Sequence, residues 1–185
     1  MRKIVTAITG ASGMPYALTL INELKKNNQQ EVHLIVSDAA NMVLDLEAPD
    51  HKDILTLADY RYSQNELGAP MASGSFQHSG MVICPCSMAT LAAVAHGLGN
   101  NLIHRSADVT LKEKRPLVLV PREMPYNRVH LRNMLAALDA GATIMPPCPG
   151  FYHQPVDIQD LIRHVVSRIM DSLNIENQVF PRWKG

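Results

Sequence analysis

Short apolar runs alternate with amphipathic stretches along most of the chain. The runs read KIVTAI, VHLIV, GMVICP, PLVLVP and ATIMP, and they begin at residues 3, 32, 80, 116 and 142. Most are continuously apolar and rich in β-branched residues, which is typical of strands buried on both faces. Because helix-like stretches separate them, we expect the strands to pair in parallel with helices on both sides of the sheet. The pattern predicts an α/β fold, a doubly wound parallel sheet in three layers.

The length of 185 residues allows one domain with a substantial core and is short for two. We therefore expect a single domain over residues 1–185. Residues 48–79 are its least regular part, polar and glycine-rich, and we expect them to be an excursion over one edge of the site. Residues 176–185 are expected to form a C-terminal tail.

Charge and hydropathy exclude several classes of protein. The formal net charge is zero and the sequence pI is about 7.1, so no overall field attracts nucleic acid or an anionic membrane. No run is long enough to span a bilayer, and the N-terminal apolar stretch lacks the features of a signal peptide. Three cysteines, an odd number, are expected to be reduced thiols. These observations predict a cytoplasmic protein.

Polar and charged residues gather where the predicted strands end. In open parallel sheets, ligands bind beyond the carboxyl ends of the strands. The strand ends carry Gly10-Ala11-Ser12, Ser37, Cys84-Pro85-Cys86-Ser87, Pro121-Arg122-Glu123 and residues 146–152. The first lies in TGASGMPYA, a strand–glycine–helix stretch typical of a phosphate seat, with Ser12 as an expected N-cap. This stretch has only two of the three glycines of the dinucleotide fingerprint.

Each of these features also has a purely structural explanation. The glycine stretch could be a tight connection between strand and helix, and Ser87 could serve only as an N-cap. Glu123 beside Arg122 is either a functional carboxylate or part of a structural ion pair. Cys84 and Cys86 could suggest a metal site, but a metal needs three or four suitably spaced ligands, so we expect none.

Several sequence blocks resemble the flavin prenyltransferases of the UbiX type. These blocks are GASGMPYA, SGSF, ICPCSMATLAAVAHG, NLIHRSADVTLKEKRPLVLVPREMP, HLRNM, PPCPGFYHQP and PRWKG. The resemblance extends from the first strand to the last residues and is most specific over residues 82–155. It implies a flavodoxin-like (Rossmann-like) fold that binds FMN. FMN has a single phosphate, so the incomplete dinucleotide fingerprint is no obstacle.

The resemblance assigns the flavin contacts to positions at the strand ends. They are Gly10, Ala11, Ser12, Ser37, Ser87, Met88, Ala89, Thr90 and Arg122. A Cβ atom at residue 10 is expected to block the approach of the backbone to the ligand.

The resemblance also implies a reaction. The family joins reduced FMN to the prenyl group of dimethylallyl monophosphate at flavin N5 and C6, without a metal. The donor phosphate is expected at Tyr152, Arg168 and Lys112, with Arg122 serving both ligands. Glu123 and Ser12 are expected to manage protons, with Lys112 and Glu47 also in the active site. Trp183 matches an aromatic residue of the tail expected near the site.

Partners follow from the same resemblance. The family forms homo-oligomers, dodecamers with sites shared among three subunits, and supplies prenylated FMN to a UbiD-type decarboxylase. Three alternatives remain: the small subunit of a hydroxyarylic acid decarboxylase, a flavin-dependent cysteine decarboxylase, and a non-catalytic flavin carrier. The cysteine decarboxylases carry PASANT where this chain has PCSMAT, and their P-x-M-N-x-x-M-W motif is absent here.

Overall fold

The computed structural model describes residues 1–26 and 29–182. Within them, one sheet contains the strands β1 (Arg2–Ile8), β2 (Gln30–Val36), β3 (Tyr60–Ser63), β4 (Met81–Cys86), β5 (Leu117–Pro121) and β6 (Thr143–Ile144). The α-helices are α1 (Met14–Lys26), α2 (Asp38–Glu47), α3 (Met88–Ala95), α4 (Leu102–Lys112), α5 (Arg128–Asp139) and α6 (Ile158–Ser172). Two 3₁₀ helices cover Pro49–Leu57 and Pro70–Ala72.

The sheet is parallel throughout and has the strand order β3-β2-β1-β4-β5-β6. Without the edge strand β3, the remaining five strands have the flavodoxin-like order. The direction of winding changes between β1 and β4, so the carboxyl ends of these strands flank the crevice where such folds bind ligands. The predicted fold is confirmed.

A hydrophobic core lies on each face of the sheet. One core contains side chains of α1, α2 and α6, and the other contains side chains of α3, α4 and α5. Strand β1 supplies both, because Ile4 and Ile8 point to the first core while Val5 and Ala7 point to the second. This alternation within a continuously apolar strand gives the predicted three layers.

Helix α4 and strand β3 were not predicted by the pattern of apolar runs. The buried face of α4 includes the polar residues Ser106 and Thr110, so its sequence contains no long apolar run. Strand β3 is short and mostly exposed, and it pairs with β2 inside residues 48–79. The single-domain assignment and the position of this segment over the site stay predictions. No helix among residues 1–26 and 29–182 has the length and apolar character needed to cross a bilayer.

Candidate functional site

Thr9 joins the loops that follow β1 and β4. Its buried hydroxyl donates to the carbonyl oxygen of Pro85 at 2.9 Å and accepts the N–H of Ser87 at 2.7 Å. The loop after β2 is attached next to it, since the N–H of Ser37 donates to the carbonyl of Ile8 at 3.1 Å. Three of the predicted strand ends therefore meet. Sequence reasoning missed Thr9 because a threonine at the end of a strand has no distinctive signal.

We expect Thr9→Val to lower the free energy of unfolding by about 1–3 kcal/mol, because it leaves the Ser87 N–H without its partner and the Pro85 carbonyl with only the N–H of residue 9. Thr6→Val is the matched control. Thr6 is buried in β1, the strand that ends just before Thr9, and its hydroxyl has no hydrogen-bond partner among the described residues. The control should therefore be neutral or stabilising. Chemical denaturation of both variants at one protein concentration measures the difference, and equal losses would contradict the role of Thr9.

Gly10 packs directly against the start of α2. A Cβ atom at this position would lie 2.5 Å from Cβ and 3.2 Å from the carbonyl carbon of Ala39. The structure therefore gives a packing reason for the glycine within the protein itself. The expected role in the approach of a ligand stays a prediction, and a larger residue would displace the α2 start as well.

Glu47, at the end of α2, binds the start of α1. Its Oε2 accepts the N–H groups of Gly13 at 2.8 Å and Met14 at 2.9 Å. Burial raises the pKa of Glu47. Hydrogen bonds from the Ser12 side chain and from the Met14 and Gly13 amides, with the charge of Arg122, lower the pKa by more, so that it lies below its usual range. The carboxylate is therefore charged at neutral pH.

Glu47 changes the expected location of a phosphate. The amides of Gly13 and Met14 already hold an anion, and Glu47, rather than Ser12, satisfies them. The remaining candidates are the starts of α2 and α3, where the predicted hydroxyls are N-caps. Ser37 accepts the N–H of Ala40 at 3.1 Å, and Ser87 accepts that of Thr90 at 3.2 Å.

The start of α3 is the better seat for an anion. Its first turn carries no acidic residue, whereas that of α2 contains Asp38. The first N–H groups of a helix have no intrahelical partner, and here they belong to Met88 and Ala89. The hydroxyls of Ser87 and Thr90, 3.1 Å apart, lie beside them. This set of donors and the local dipole fit the phosphate of a mononucleotide.

Arg122 connects the end of β5 to the glycine loop. Its Nε donates to the carbonyl of Ser12 at 3.2 Å, and its charge acts on Glu47. The neighbouring Glu123 is half-buried and accepts the N–H of Met124 at 3.0 Å. The structure therefore brings Ser12, Glu47 and Arg122 together. Glu123 directly follows Arg122 in the chain.

The predicted phosphate-binding residues are only partly brought together. Tyr152 and Arg168 line one depression of about 370 Å³. Lys112 ends α4, shortly before β5 begins, and is paired with Glu113. Helix α4 packs on one face of the sheet and α6, which carries Arg168, packs on the other, and Lys112 does not line the depression. One protomer does not bring Lys112 to the other two residues. Trp183 lies outside the described residues.

The cysteines of the β4 end are part of the core. Cys84 and Cys86 are buried, and burial raises the pKa of Cys84 to about 12 and that of Cys86 further still. Over residues 1–26 and 29–182, no three or more His, Cys, Asp or Glu side chains group in a way that could hold a metal ion.

Comparison with known proteins identifies relatives over the full length. The flavoprotein family matches residues 1–169. The chain is 48% identical over 186 residues to the flavin prenyltransferase LpdB of Lactiplantibacillus plantarum, covering 100% of both chains. It is 46% identical over 182 residues to the flavin prenyltransferase UbiX of Methanocaldococcus jannaschii, covering 98% of both.

Solved structures of the same kind of protein are similar to this chain over almost its full length. AnUbiX (PadA1), in complex with FMN and dimethylallyl pyrophosphate, is 43% identical, with a TM-score of 0.95 and coverage of 100% of this chain and 98% of that one. A dodecameric FMN-dependent UbiX-like decarboxylase from Escherichia coli O157:H7 is 41% identical, also with a TM-score of 0.95, and 99% of this chain and 100% of that chain are covered. The chain therefore belongs to the flavoprotein family and, within it, to the flavin prenyltransferases of the UbiX type.

Proposed function

We propose that this chain transfers the dimethylallyl group of dimethylallyl monophosphate to reduced FMN, forming bonds at N5 and C6. The product, prenylated FMN, would then serve a UbiD-type decarboxylase. The observation that carries the proposal is the cluster of Ser12, Glu47 and Arg122 beside the anion seat at the start of α3. The related AnUbiX, solved with FMN and dimethylallyl pyrophosphate, supports the choice of ligands.

Two parts of the site have distinct tasks. The start of α3 and the loop of residues 10–12 hold the flavin, which supplies the nucleophilic positions. The Ser12 side chain lowers the pKa of the Glu47 carboxyl group, and Glu123 follows the end of β5. These groups are placed to hold or move protons as the new bonds form. Arg122 stabilises negative charge between the two parts.

The donor phosphate is bound by Tyr152, Arg168 and Lys112. These side chains balance the charge of the leaving phosphate, a task that metal ions perform in many phosphate-transfer sites. Because one protomer separates Lys112 from the other two residues, we assign it to the site of a neighbouring protomer. A homo-oligomer also accounts for the exposed apolar residues of α5, which are Val129, Leu131, Leu135 and Leu138.

A mass spectrum of the flavin recovered after incubation with reduced FMN and dimethylallyl monophosphate tests the proposal. We expect the mass of FMN to rise by one five-carbon prenyl unit, with release of inorganic phosphate. Unmodified FMN after prolonged incubation with active-site-saturating donor would overturn the proposed function.

Arg168→Ala is expected to weaken binding of dimethylallyl monophosphate by about ten- to a hundredfold, because it removes a charge-assisted hydrogen bond. FMN affinity should not change. Arg163→Ala is the matched control, because Arg163 pairs with Asp160 three positions away in α6, as Arg168 pairs with Asp171, and does not line this depression. Calorimetric titration with each ligand measures both affinities. Equal losses of FMN and donor would show that Arg168 is structural.

A second candidate function is the small subunit of a hydroxyarylic acid decarboxylase. The name of the related Escherichia coli structure, a UbiX-like decarboxylase, favours it. In that case, the chain would act on an aryl acid as part of a complex and would not supply a cofactor to a separate enzyme.

A further inference from the structure

One histidine of α6 holds two points of the loop that follows β6. The N–H of Gly150 donates to Nδ1 of His164 at 3.2 Å. The hydroxyl of Tyr152 lies 3.2 Å from Nε2 of the same ring. Tyr152 is expected at the donor phosphate, and His164, for which the sequence indicates no role, lines the same depression as Tyr152 and Arg168.

The hydrogen bond from Gly150 determines where the ring carries its proton. Since Nδ1 accepts an N–H, the neutral ring must be protonated at Nε2. His164 therefore donates to the oxygen of Tyr152. A hydroxyl that accepts one bond directs its own proton away from that donor. The Tyr152 hydroxyl is thus oriented as a donor toward another acceptor, as recognition of a phosphate requires.

Packing fixes the same arrangement. A Cβ atom on Gly150 would lie 2.6 Å from Cε1 of Tyr152, so the tyrosine ring folds closely over the glycine. The Tyr152 and His164 rings are perpendicular, with centroids 5.9 Å apart. Phe180 contacts the His164 ring edge-on at 5.0 Å between centroids. The imidazole is therefore held from three sides.

We propose that His164 is a positioning residue that orients the Tyr152 hydroxyl toward the phosphate of the prenyl donor. The identity of that ligand rests on the proposed function. The orientation of the Tyr152 hydroxyl depends only on two hydrogen bonds of the His164 ring, one accepted from Gly150 and one donated to Tyr152. His164 does not touch the donor in this proposal, and its effect passes through the tyrosine.

The proposal implies a pH dependence of donor binding. The charged or titratable groups around His164 are His153 and Tyr152 of the loop and Arg168 of α6. Burial lowers the pKa of His164, and the charges of His153 and Arg168 lower it further. The ring is neutral at pH 7. Protonation would place an N–H against the N–H of Gly150, so the arrangement is lost as the pH falls below the ordinary range of histidine.

Calorimetric binding of dimethylallyl monophosphate to the FMN-loaded oligomer tests the proposal. His164→Phe should weaken binding about tenfold, the effect of one lost hydrogen bond. In a Tyr152→Phe background, the same change should have no further effect. His153→Phe is the matched control, because the His153 ring packs against Tyr152 at 5.7 Å and against His164 at 5.4 Å between centroids, contacts that phenylalanine keeps, while its ring nitrogens have no hydrogen-bond partner among the described residues. The control should bind as the wild type does.

His164→Gln adds a test that a purely structural role would not satisfy. Its amide can accept from Gly150 and donate to Tyr152, but it does not titrate. At about neutral pH, the His164→Gln variant should bind the donor nearly as well as wild type does. At acidic pH, it should bind the donor better than wild type does. The titration of the phosphate itself is the same in both proteins.

Three results would overturn the proposal: additive losses in the Tyr152→Phe background, equal losses for His153→Phe and His164→Phe, or identical pH profiles for His164→Gln and wild type. Wild-type protein that binds the donor but leaves FMN unmodified would refute the proposed function alone, because the binding comparison still decides the role of His164. Wild-type protein that does not bind the donor would refute both.

Discussion

Glu123→Gln is expected to slow prenylation of reduced FMN by about 100-fold, within the range typical of general acid–base groups. Glutamine keeps the shape of the side chain and can still accept the N–H of Met124, which Glu123 accepts at 3.0 Å. It cannot exchange a proton at neutral pH. FMN affinity should therefore stay close to that of wild type. Single-turnover kinetics with reduced FMN already bound separate the chemical step from binding.

Glu176→Gln is the control for this change. Glu176 is exposed and lines a groove with Glu23 and Lys26, outside the cluster of Ser12, Glu47 and Arg122. The control should have wild-type single-turnover kinetics. Unchanged kinetics in Glu123→Gln would refute a role in proton transfer and would favour a structural role through the hydrogen bond from Met124.

Release of carbon dioxide from an aryl acid separates a cofactor-making prenyltransferase from a decarboxylase subunit, and we expect none from this chain. If the chain makes a cofactor, it should release no carbon dioxide from an aryl acid when it is tested alone with FMN. Decarboxylation of an aromatic acid needs a group that accepts the developing negative charge, and we expect a prenylated flavin to provide one. The filtrate of a reaction with reduced FMN and dimethylallyl monophosphate should then activate an apo UbiD-type decarboxylase.

The transfer experiment has two controls. Filtrate from a reaction without the prenyl donor should not activate the decarboxylase, and neither should filtrate from Glu123→Gln stopped at an early time. Robust decarboxylation by this polypeptide alone would reverse the conclusion and favour the decarboxylase subunit. Activation only when both proteins are present together would favour a stable complex over release of a cofactor.

The parts of the fold that sequence reasoning predicted are those with a local signal. The five apolar runs became strands and Ser87 became an N-cap, because each depends on neighbours a few residues away, whereas Glu47 takes the place expected for Ser12 at the start of α1. Strand β3 lacked such a signal, since it is held by pairing with β2. The same limit applied to α4, whose buried face contains polar residues.

The site could be predicted as a set of residues more readily than as a set of contacts. Glu47 was expected near the reaction, but its bonds to Gly13 and Met14 join residues that are more than 30 positions apart. The spacing of apolar residues along the sequence does not indicate a contact between residues so far apart. Lys112 shows the opposite case, because the sequence resemblance groups it with Tyr152 and Arg168 while the chain's own topology separates them.

The bond between Glu47 and the start of α1 has a consequence for how a ligand is received. The carboxylate fixes the two amides at the end of the glycine loop, and Ser12 and Arg122 are attached to the same cluster. The loop is therefore ordered by hydrogen bonds that the chain itself supplies. Ligand binding then requires little rearrangement of local dipoles and loses less conformational entropy. The association rate should accordingly be set by diffusion into the crevice and not by closure of this loop.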